Sequence, residues 1–159
     1  MALEIERKFR VSGNGWKPLV GRTRRLRQAY LTKNGRLSIR VRIDGDATGT
    51  LTIKAARSGM ERHEYEYTIP LADAEELMLQ REGSIISKVR HIVPIDGFNW
   101  EIDVFDGENA GLVIAEIELD RADRTFERPE WLGEEVTGDR RFYNADLAKH
   151  PYKSWTKGR

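Results

Sequence analysis

The chain has 159 residues and a net charge of +1, with 39% hydrophobic residues, 33% charged residues and no cysteine. This length predicts one domain, residues 1–159, with its own hydrophobic core. The composition excludes disulfides, thiol catalysis and cysteine metal ligands. With a net charge near zero we expect no general attraction to polyanions, so any strong field must arise from a local arrangement of charges.

Short strands follow one another through the first half of the sequence. Alternation of apolar and polar residues predicts strands over 3–11, 24–32, 37–43, 50–56 and 62–69. Turn residues separate some of them, as at Asn34-Gly35 and at Asp44-Gly45-Asp46. The short connections favour antiparallel pairing of neighbouring strands.

A change of period marks the middle of the chain. After Pro70, apolar residues at helical spacing predict a helix over 71–81 that ends at Gly83. Strands are predicted again over 84–93, 98–105 and 112–119. The C-terminal segment, about 121–159, has a helical and irregular pattern, with a helix predicted over 139–149. The fold class is therefore mainly β (α+β), and strands that are charged on one face can close into a barrel with the charges inside.

Pairs of charges two residues apart recur along these strands. Side chains two apart on a strand share a face, so the pairs place charge on one face and apolar residues on the other. The pairs are Glu4/Glu6, Arg40/Arg42, Glu64/Glu66, Lys88/Arg90, Glu101/Asp103 and Glu116/Glu118, and Lys8 and Lys54 lie on the same faces. Acidic and basic pairs on separate strands indicate a shared charged cavity.

Such a cavity predicts a particular chemistry. Charges in a confined space must be paired or metal-bound, because unpaired burial is costly. Carboxylates suit Mg²⁺ or Mn²⁺, and converging arginine and lysine side chains suit a ligand with several phosphoryl groups. The combination indicates metal-assisted attack of water on phosphorus.

Other charged and polar features favour ordinary structural roles. A single Arg-Val-Arg or Glu-Tyr-Glu segment is most often a solvated strand face. The basic run at 22–27 lacks interleaved aromatic residues, so a solvated strand entry is favoured over a nucleic-acid surface. His63, His91 and His150 are too isolated in sequence for a zinc site. No apolar run reaches the roughly 18 residues of a membrane span and no signal-peptide pattern is present, so we expect a cytoplasmic protein that binds neither membrane nor nucleic acid.

The N-terminal segment Glu4-Ile5-Glu6-Arg7-Lys8-Phe9 resembles the ExExK motif of the CYTH superfamily, the triphosphate tunnel metalloenzymes, and the later charged pairs follow in that family's order. The stretches 26–31 and 133–144 are most similar to the short bacterial inorganic triphosphatases. The resemblance implies an eight-stranded antiparallel β-barrel with flanking helices and a C-terminal helix at one end. It also implies metal-dependent hydrolysis of inorganic triphosphate to pyrophosphate and phosphate, with Mg²⁺ or Mn²⁺ as cofactor.

The resemblance also implies a role for each charged residue. The catalytic set is Lys8, Tyr30, Glu64 and Glu66, and the substrate-binding set is Arg40, Arg42, Lys54, Lys88 and Arg90. The metal-binding set is Glu4, Glu6, Glu101, Asp103, Glu116 and Glu118. Lys8 and Tyr30 would orient the terminal phosphate, and a carboxylate would remove a proton from the attacking water.

Two alternatives and one assembly question stay open. A class IV adenylate cyclase, or another enzyme acting on ATP or thiamine triphosphate, would use the same cavity, although the sequence shows no clear adenine pocket. A non-catalytic polyphosphate or nucleotide binder would gain nothing from so many carboxylates. Relatives of this kind often dimerise, so the resemblance leaves a homodimer open.

Overall fold

A computed structural model describes residues 5–56 and 62–155. Within those ranges, nine antiparallel strands form one sheet in the order β5-β4-β3-β2-β6-β7-β8-β1-β9. The strands are β1 (Ile5–Val11), β2 (Arg22–Lys33), β3 (Leu37–Asp44), β4 (Thr48–Ala56), β5 (Arg62–Ile69), β6 (Glu82–Ile95), β7 (Phe98–Phe105), β8 (Val113–Leu119) and β9 (Leu132–Glu135). Two α-helices accompany them, α1 (Leu71–Met78) and α2 (Asn144–Lys149).

The mainly β fold class and the antiparallel pairing are confirmed, but the prediction of a closed eight-stranded barrel is wrong in its detail. Among the described residues the sheet is open, with β5 and β9 at its edges. The additional strand, β9, is four residues long and pairs with β1. A segment this short, beginning three residues after Pro129, carries too little alternation to predict a strand, and pairing with β1 is what orders it.

The helices are shorter than the sequence predicts. The predicted helix over 139–149 is in fact a 3₁₀ turn, Arg140–Phe142, followed by α2. The Asp139 carboxylate accepts a hydrogen bond from the Arg141 backbone N–H, which stabilises the turn, and Tyr143 is extended, with φ −75° and ψ 138°, so the turn and α2 cannot join. No helix in the described part of the chain is long and apolar enough to cross a membrane.

The convex face of the sheet carries two apolar clusters. One lies over β1, β7 and β8, where Phe9, Ile102 and Ile117 pack beneath Trp16 and Trp131 from the connecting segments. The other lies beneath α1, where Ala74 and Met78 pack against Ala29, Val41 and Ile43 of β2 and β3. Helix α1 approaches β4 so closely that a Cβ at Gly49 would lie 2.7 Å from the Cβ of Ala74.

The C-terminal segment packs on the opposite, concave face. Phe142 and Leu147 join a cluster with Ile86, Phe105 and Ile114 of β6, β7 and β8. These strand residues alternate in phase with the charged pairs, so the segment covers part of the face that carries the charges. The C-terminal helix implied by the family resemblance is therefore present as α2.

Candidate active site

A cavity of about 630 Å³ occupies the concave face of the sheet. Residues from β1 to β8, from the segment between β9 and α2, and from the start of α2 form its wall. The wall includes most of the residues predicted from the sequence, namely Glu6, Lys8, Tyr30, Arg40, Arg42, Lys54, Glu64, Glu66, Lys88, Arg90, Glu101, Glu116 and Glu118. Asp103 does not line the cavity, and Glu4 lies outside the described residues.

The sheet curls enough to bring distant strands together across this cavity. Burial and the Glu116 carboxylate raise the pKa of Glu6, while the ammonium groups of Lys8 and Lys54 act in the opposite direction. Lys54 lies on β4 and Glu6 on β1, near opposite ends of the strand order. An electrostatic contact between them requires the two ends of the sheet to face one another.

A buried ion cluster holds two of the predicted substrate-binding cations. Both oxygens of Asp103 are used, because Arg90 Nε and a terminal nitrogen of Arg90 lie 2.8 and 2.9 Å from them and Lys88 Nζ lies 2.8 Å away. Burial alone would raise the pKa of Asp103, but Lys88 and Arg90 outweigh it and hold that pKa well below its usual range. Asp103 therefore serves as the shared counter-ion of Lys88 and Arg90.

Lys88 is held in an unusual electrostatic state by this cluster. Its side chain is 1% exposed. Burial lowers the pKa of Lys88 to about 8; Arg90 and Arg42 act in the same direction, and Asp103 opposes them. A second anion in the cavity would favour the charged form of Lys88, since opposite charge stabilises an ammonium.

Arg40 and Arg42 of β3 point into the cavity from the other side. Arg42 Nε donates to Gln28 Oε1 at 2.8 Å, and Arg40 donates to Thr52 Oγ1 at 3.3 Å. Arg40 Nε is buried and has no hydrogen-bond partner among the residues that the structure describes. A buried guanidinium donor that lacks an acceptor is costly, so this position suits an incoming anion. Burial, Arg40 and Arg90 lower the pKa of Arg42 to about 10, which indicates a local excess of positive charge.

The carboxylates of β1 and β8 gather near Lys8. Lys8 Nζ forms an ion pair with Glu116, and Glu118 lies opposite Glu6 in the strand register. Burial would lower the pKa of Lys8, but Glu116 and Glu6 outweigh it and raise that pKa, so Lys8 remains a cation. Burial would raise the pKa of Glu116, but Lys8 lowers it, so Glu116 remains an anion.

These carboxylates suit a divalent cation whose coordination is completed by water and by a bound ligand. The raised pKa of Glu6, caused by burial and by Glu116, shows two acids close enough to repel each other. In the part of the chain that the structure describes, no group of three or more acidic, histidine or cysteine side chains could by itself hold a metal ion. Mg²⁺ commonly takes one or two carboxylates, several waters and phosphate oxygens, which agrees with this arrangement.

Tyr30 is poised as a hydrogen-bond donor. Burial raises the pKa of its phenol, against the opposing effect of Arg40 and Arg42, so the phenol keeps its proton. It lines the cavity together with Lys8. On β5, Glu66 accepts a hydrogen bond from Thr52 Oγ1 at 3.3 Å, which orients one of the acids on that strand.

The basic run at the start of β2 lies outside this cavity. Arg24 pairs with Asp44, Arg25 pairs with Asp106, and Arg27 pairs with Glu75. Paired arginines along a strand fit the solvated strand entry that the sequence favours.

The comparison with known proteins decides the family. Residues 2–143 match the CYTH domain. The chain belongs to the CYTH domain family. An inorganic triphosphatase of Acetivibrio thermocellus is 46% identical over 156 residues, which span 98% of this chain and 99% of that protein. An inorganic triphosphatase of Nitrosomonas europaea is 37% identical over 150 residues, covering 91% of this chain and 96% of its own length.

A solved structure supports the same relationship. The crystal structure of the inorganic triphosphatase NE1496 superimposes with a TM-score of 0.72 at 35% identity, covering 93% of this chain and 95% of that chain. The charged cavity described above is thus found in a CYTH domain whose full-length relatives are named inorganic triphosphatases.

Several residues of this CYTH domain site escaped the sequence analysis. They are Gln28, Lys33, Ser38, Thr52, Thr137, Gly138, Tyr143, Asn144 and Ala145. Gln28 had a usable signal, since it precedes Tyr30 by two positions on β2 and so shares its face. Asn144 had none, because its place depends on how the C-terminal segment packs across the sheet.

Proposed function

We propose that this chain hydrolyses inorganic triphosphate to pyrophosphate and phosphate in the concave cavity. The observation that carries the proposal is one cavity walled by cations on β3, β4 and β6 and by carboxylates on β1, β5, β7 and β8. The names of the two full-length relatives support inorganic triphosphate as the substrate. A cavity with both signs of charge suits a polyanion that arrives together with a divalent metal.

The cationic wall binds the phosphoryl oxygens. Lys88 and Arg90 are fixed by Asp103, and Arg42 is fixed by Gln28, so these cations need little rearrangement when substrate arrives. Arg40 brings the unpartnered buried Nε described above. Lys54 extends the wall toward β5. Fixed positive charge of this kind stabilises the charge that develops on the transferred phosphoryl group.

The acidic wall would hold a divalent metal, which we propose is Mg²⁺ or Mn²⁺. Glu6, Glu116 and Glu118 are the ligands we favour, with Glu101 close to Arg90 at 3.5 Å and available to bound water. Asp103 is not included, because its two oxygens already bind Lys88 and Arg90. A bound divalent metal would make its water more acidic and would neutralise charge on the phosphate oxygens.

The remaining catalytic residues would stabilise the phosphoryl group and accept the proton of the attacking water. Lys8, kept charged by Glu116 and Glu6, would stabilise the terminal phosphoryl group. Tyr30, which keeps its proton, would donate a hydrogen bond to a phosphoryl oxygen. Glu64 and Glu66 line the cavity on β5 and are the candidates to accept the proton of the attacking water.

The test is phosphate release from inorganic triphosphate, ATP and thiamine triphosphate, each with Mg²⁺, Mn²⁺ or EDTA, with cyclic AMP measured in the ATP samples. We expect hydrolysis of inorganic triphosphate that needs metal and exceeds that of either organic substrate. Formation of cyclic AMP and pyrophosphate from ATP would establish a cyclase instead. Binding of triphosphate without any turnover would establish a binding protein.

A further inference from the structure

Asn144 joins the C-terminal segment to the cationic wall of the cavity. It is the first residue of α2 and lines the cavity. Its side-chain Oδ1 accepts a hydrogen bond from Lys88 Nζ at 2.8 Å and another from Gln28 Nε2 at 3.3 Å. Gln28 in turn accepts from Arg42 Nε at 2.8 Å. One amide oxygen thus connects two cations that lie on different strands, β6 and β3.

These contacts fix the donors that a triphosphate would use. A lysine ammonium carries three hydrogens, so the contacts of Lys88 with Asp103 and Asn144 leave one for a phosphoryl oxygen. The contact of Arg42 with Gln28 occupies Nε, and the two terminal nitrogens are the ones suited to grip phosphoryl oxygens. Without the shared acceptor, Lys88 would keep only its contact with Asp103, and Gln28, which orients Arg42, would lose the acceptor of its own amide N–H.

The position of Asn144 is fixed by hydrophobic packing of α2 against the sheet. Leu147 and Ala148, in the same helix, are buried against Ile86 of β6. Ile86 lies two residues before Lys88 on the same face of the strand. The amide therefore reaches the cavity from an anchored element, as a group must if it is to orient others.

We propose that Asn144 is a positioning residue that sets the directions of Lys88 and, through Gln28, of Arg42 for phosphoryl transfer. The inference rests on the proposed triphosphatase function. Loss of the acceptor should lower kcat more than it raises KM. The charges stay in the cavity and still attract the substrate, whereas transfer needs their alignment.

Two variants of similar shape isolate the acceptor oxygen. Asn144→Leu removes it, and Asn144→Asp keeps an oxygen for Lys88. With inorganic triphosphate and Mg²⁺, we expect Asn144→Leu to lower kcat about 10- to 100-fold, the usual range for residues that orient ligating groups, with KM changed by less than about threefold. Asn144→Asp should recover most of the lost kcat at saturating substrate, although its added negative charge should raise KM. Equal kcat in the two variants would overturn the role of the acceptor.

The control is Leu147→Ala, which loosens α2 without touching the cavity. We expect it to lower the melting temperature, since large-to-small changes in a core act on stability, and to lower kcat at 25 °C clearly less than Asn144→Leu does, because the acceptor oxygen of Asn144 is still present. If Leu147→Ala matches the kcat loss of Asn144→Leu, loose packing explains the loss and the inference fails.

The route through Gln28 has its own test. If Asn144 acts on Arg42 through Gln28, Gln28→Leu should lower kcat by a much smaller factor in the Asn144→Leu background than in the parent. Additive losses in kcat would overturn this route. A parent protein without triphosphatase activity would overturn the proposed function and this inference together. An active parent with an equally active Asn144→Leu variant would overturn the inference alone.

Discussion

The buried ion cluster around Asp103 makes a prediction that separates an anchor from a metal ligand. Asp103→Asn keeps the shape of the side chain and removes the charge that Lys88 and Arg90 share. Removing one partner of a buried ion pair usually costs about 3–5 kcal/mol, because the remaining charge is left uncompensated. Here Lys88 loses its carboxylate partner and Arg90 keeps only the more distant Glu101, at 3.5 Å, but Lys88 can release its proton and so relieve part of the cost.

The expected shift in melting temperature follows from this free-energy cost and from the length of the chain. For a protein of about 150–250 residues, each kcal/mol lowers the melting temperature by about 2–4 °C, so Asp103→Asn should lower it by about 6–20 °C at pH 7. The matched control is Asp106→Asn, three residues further along, whose carboxylate is 41% exposed and pairs with Arg25 at 3.0 Å. An exposed pair contributes about 0–1 kcal/mol, so the control should shift the melting temperature by only a few degrees.

The lowered pKa of Asp103 determines how its contribution to stability changes with pH. The pKa of Asp103 is lowered in the folded protein, so its contribution to stability is fully present above the unfolded pKa of about 3.9. That contribution is lost as the pH falls toward the folded pKa. The stability gap between parent and Asp103→Asn should therefore narrow only below about pH 4. Between about pH 7 and pH 5 it should widen as the pH falls if Lys88 is neutral in the folded variant, because keeping a lysine deprotonated costs more at lower pH.

Thermal unfolding in EDTA, followed by circular dichroism across this pH range, checks the prediction. EDTA removes any contribution from metal, so an anchoring role predicts the full difference in melting temperature between parent and Asp103→Asn in its presence. A metal-ligand role predicts a gap that appears only when metal is added. A melting temperature for Asp103→Asn within 2–3 °C of the parent at pH 7, about the shift of a surface pair, would refute the anchor reasoning.

Three further predictions concern the cavity. Arg40→Ala should lower kcat/KM for triphosphate at least about 100-fold, since it removes a charged donor of about 2.7 kcal/mol or more, while Arg36→Ala in the exposed β2–β3 turn should not. Glu116→Gln should raise the Mg²⁺ concentration needed for half-maximal rate at least about tenfold, while Glu108→Gln leaves it unchanged; identical metal titrations would exclude the ligand role. Because the pKa of Lys88 is lowered to about 8, kcat/KM should fall as the pH rises above 8 in the parent but not in Lys88→Arg, where the cation keeps its proton.

Much of the cavity follows from local rules. Alternation along a strand places Lys8 with Glu6 and Arg40 with Arg42, and the structure has each pair on the cavity wall. The sequence also allows a prediction that Asp103 lies beside Arg90. The Asp96-Gly97 turn between β6 and β7, with φ of 50° and 81°, joins them as a two-residue hairpin. Such a turn fixes the register and so sets Arg90 opposite Asp103.

Other features depend on packing between distant parts of the chain. Strand β9 exists because β1 offers it an edge, and Asn144 reaches the cavity because Phe142 and Leu147 pack on the concave face. Neither position follows from periodicity, since the segments are too short to show one. Whether the strands close into a barrel also depends on twist and length summed over the whole sheet, which alternation within one strand does not determine.

The order of charges across the sheet explains how a chain of net charge +1 can bind a polyanion. Acids lie on β5 and again on β7, β8 and β1, and the cations of β3, β4 and β6 lie between them. Curling brings Lys54 near Glu6, so the acids of the two flanks and the cations between them line one cavity. A bare triphosphate would be repelled by those acids, whereas a triphosphate carrying a divalent cation meets both walls with matching charge. We therefore expect the cavity to favour the metal complex of triphosphate over the free anion before any chemical step.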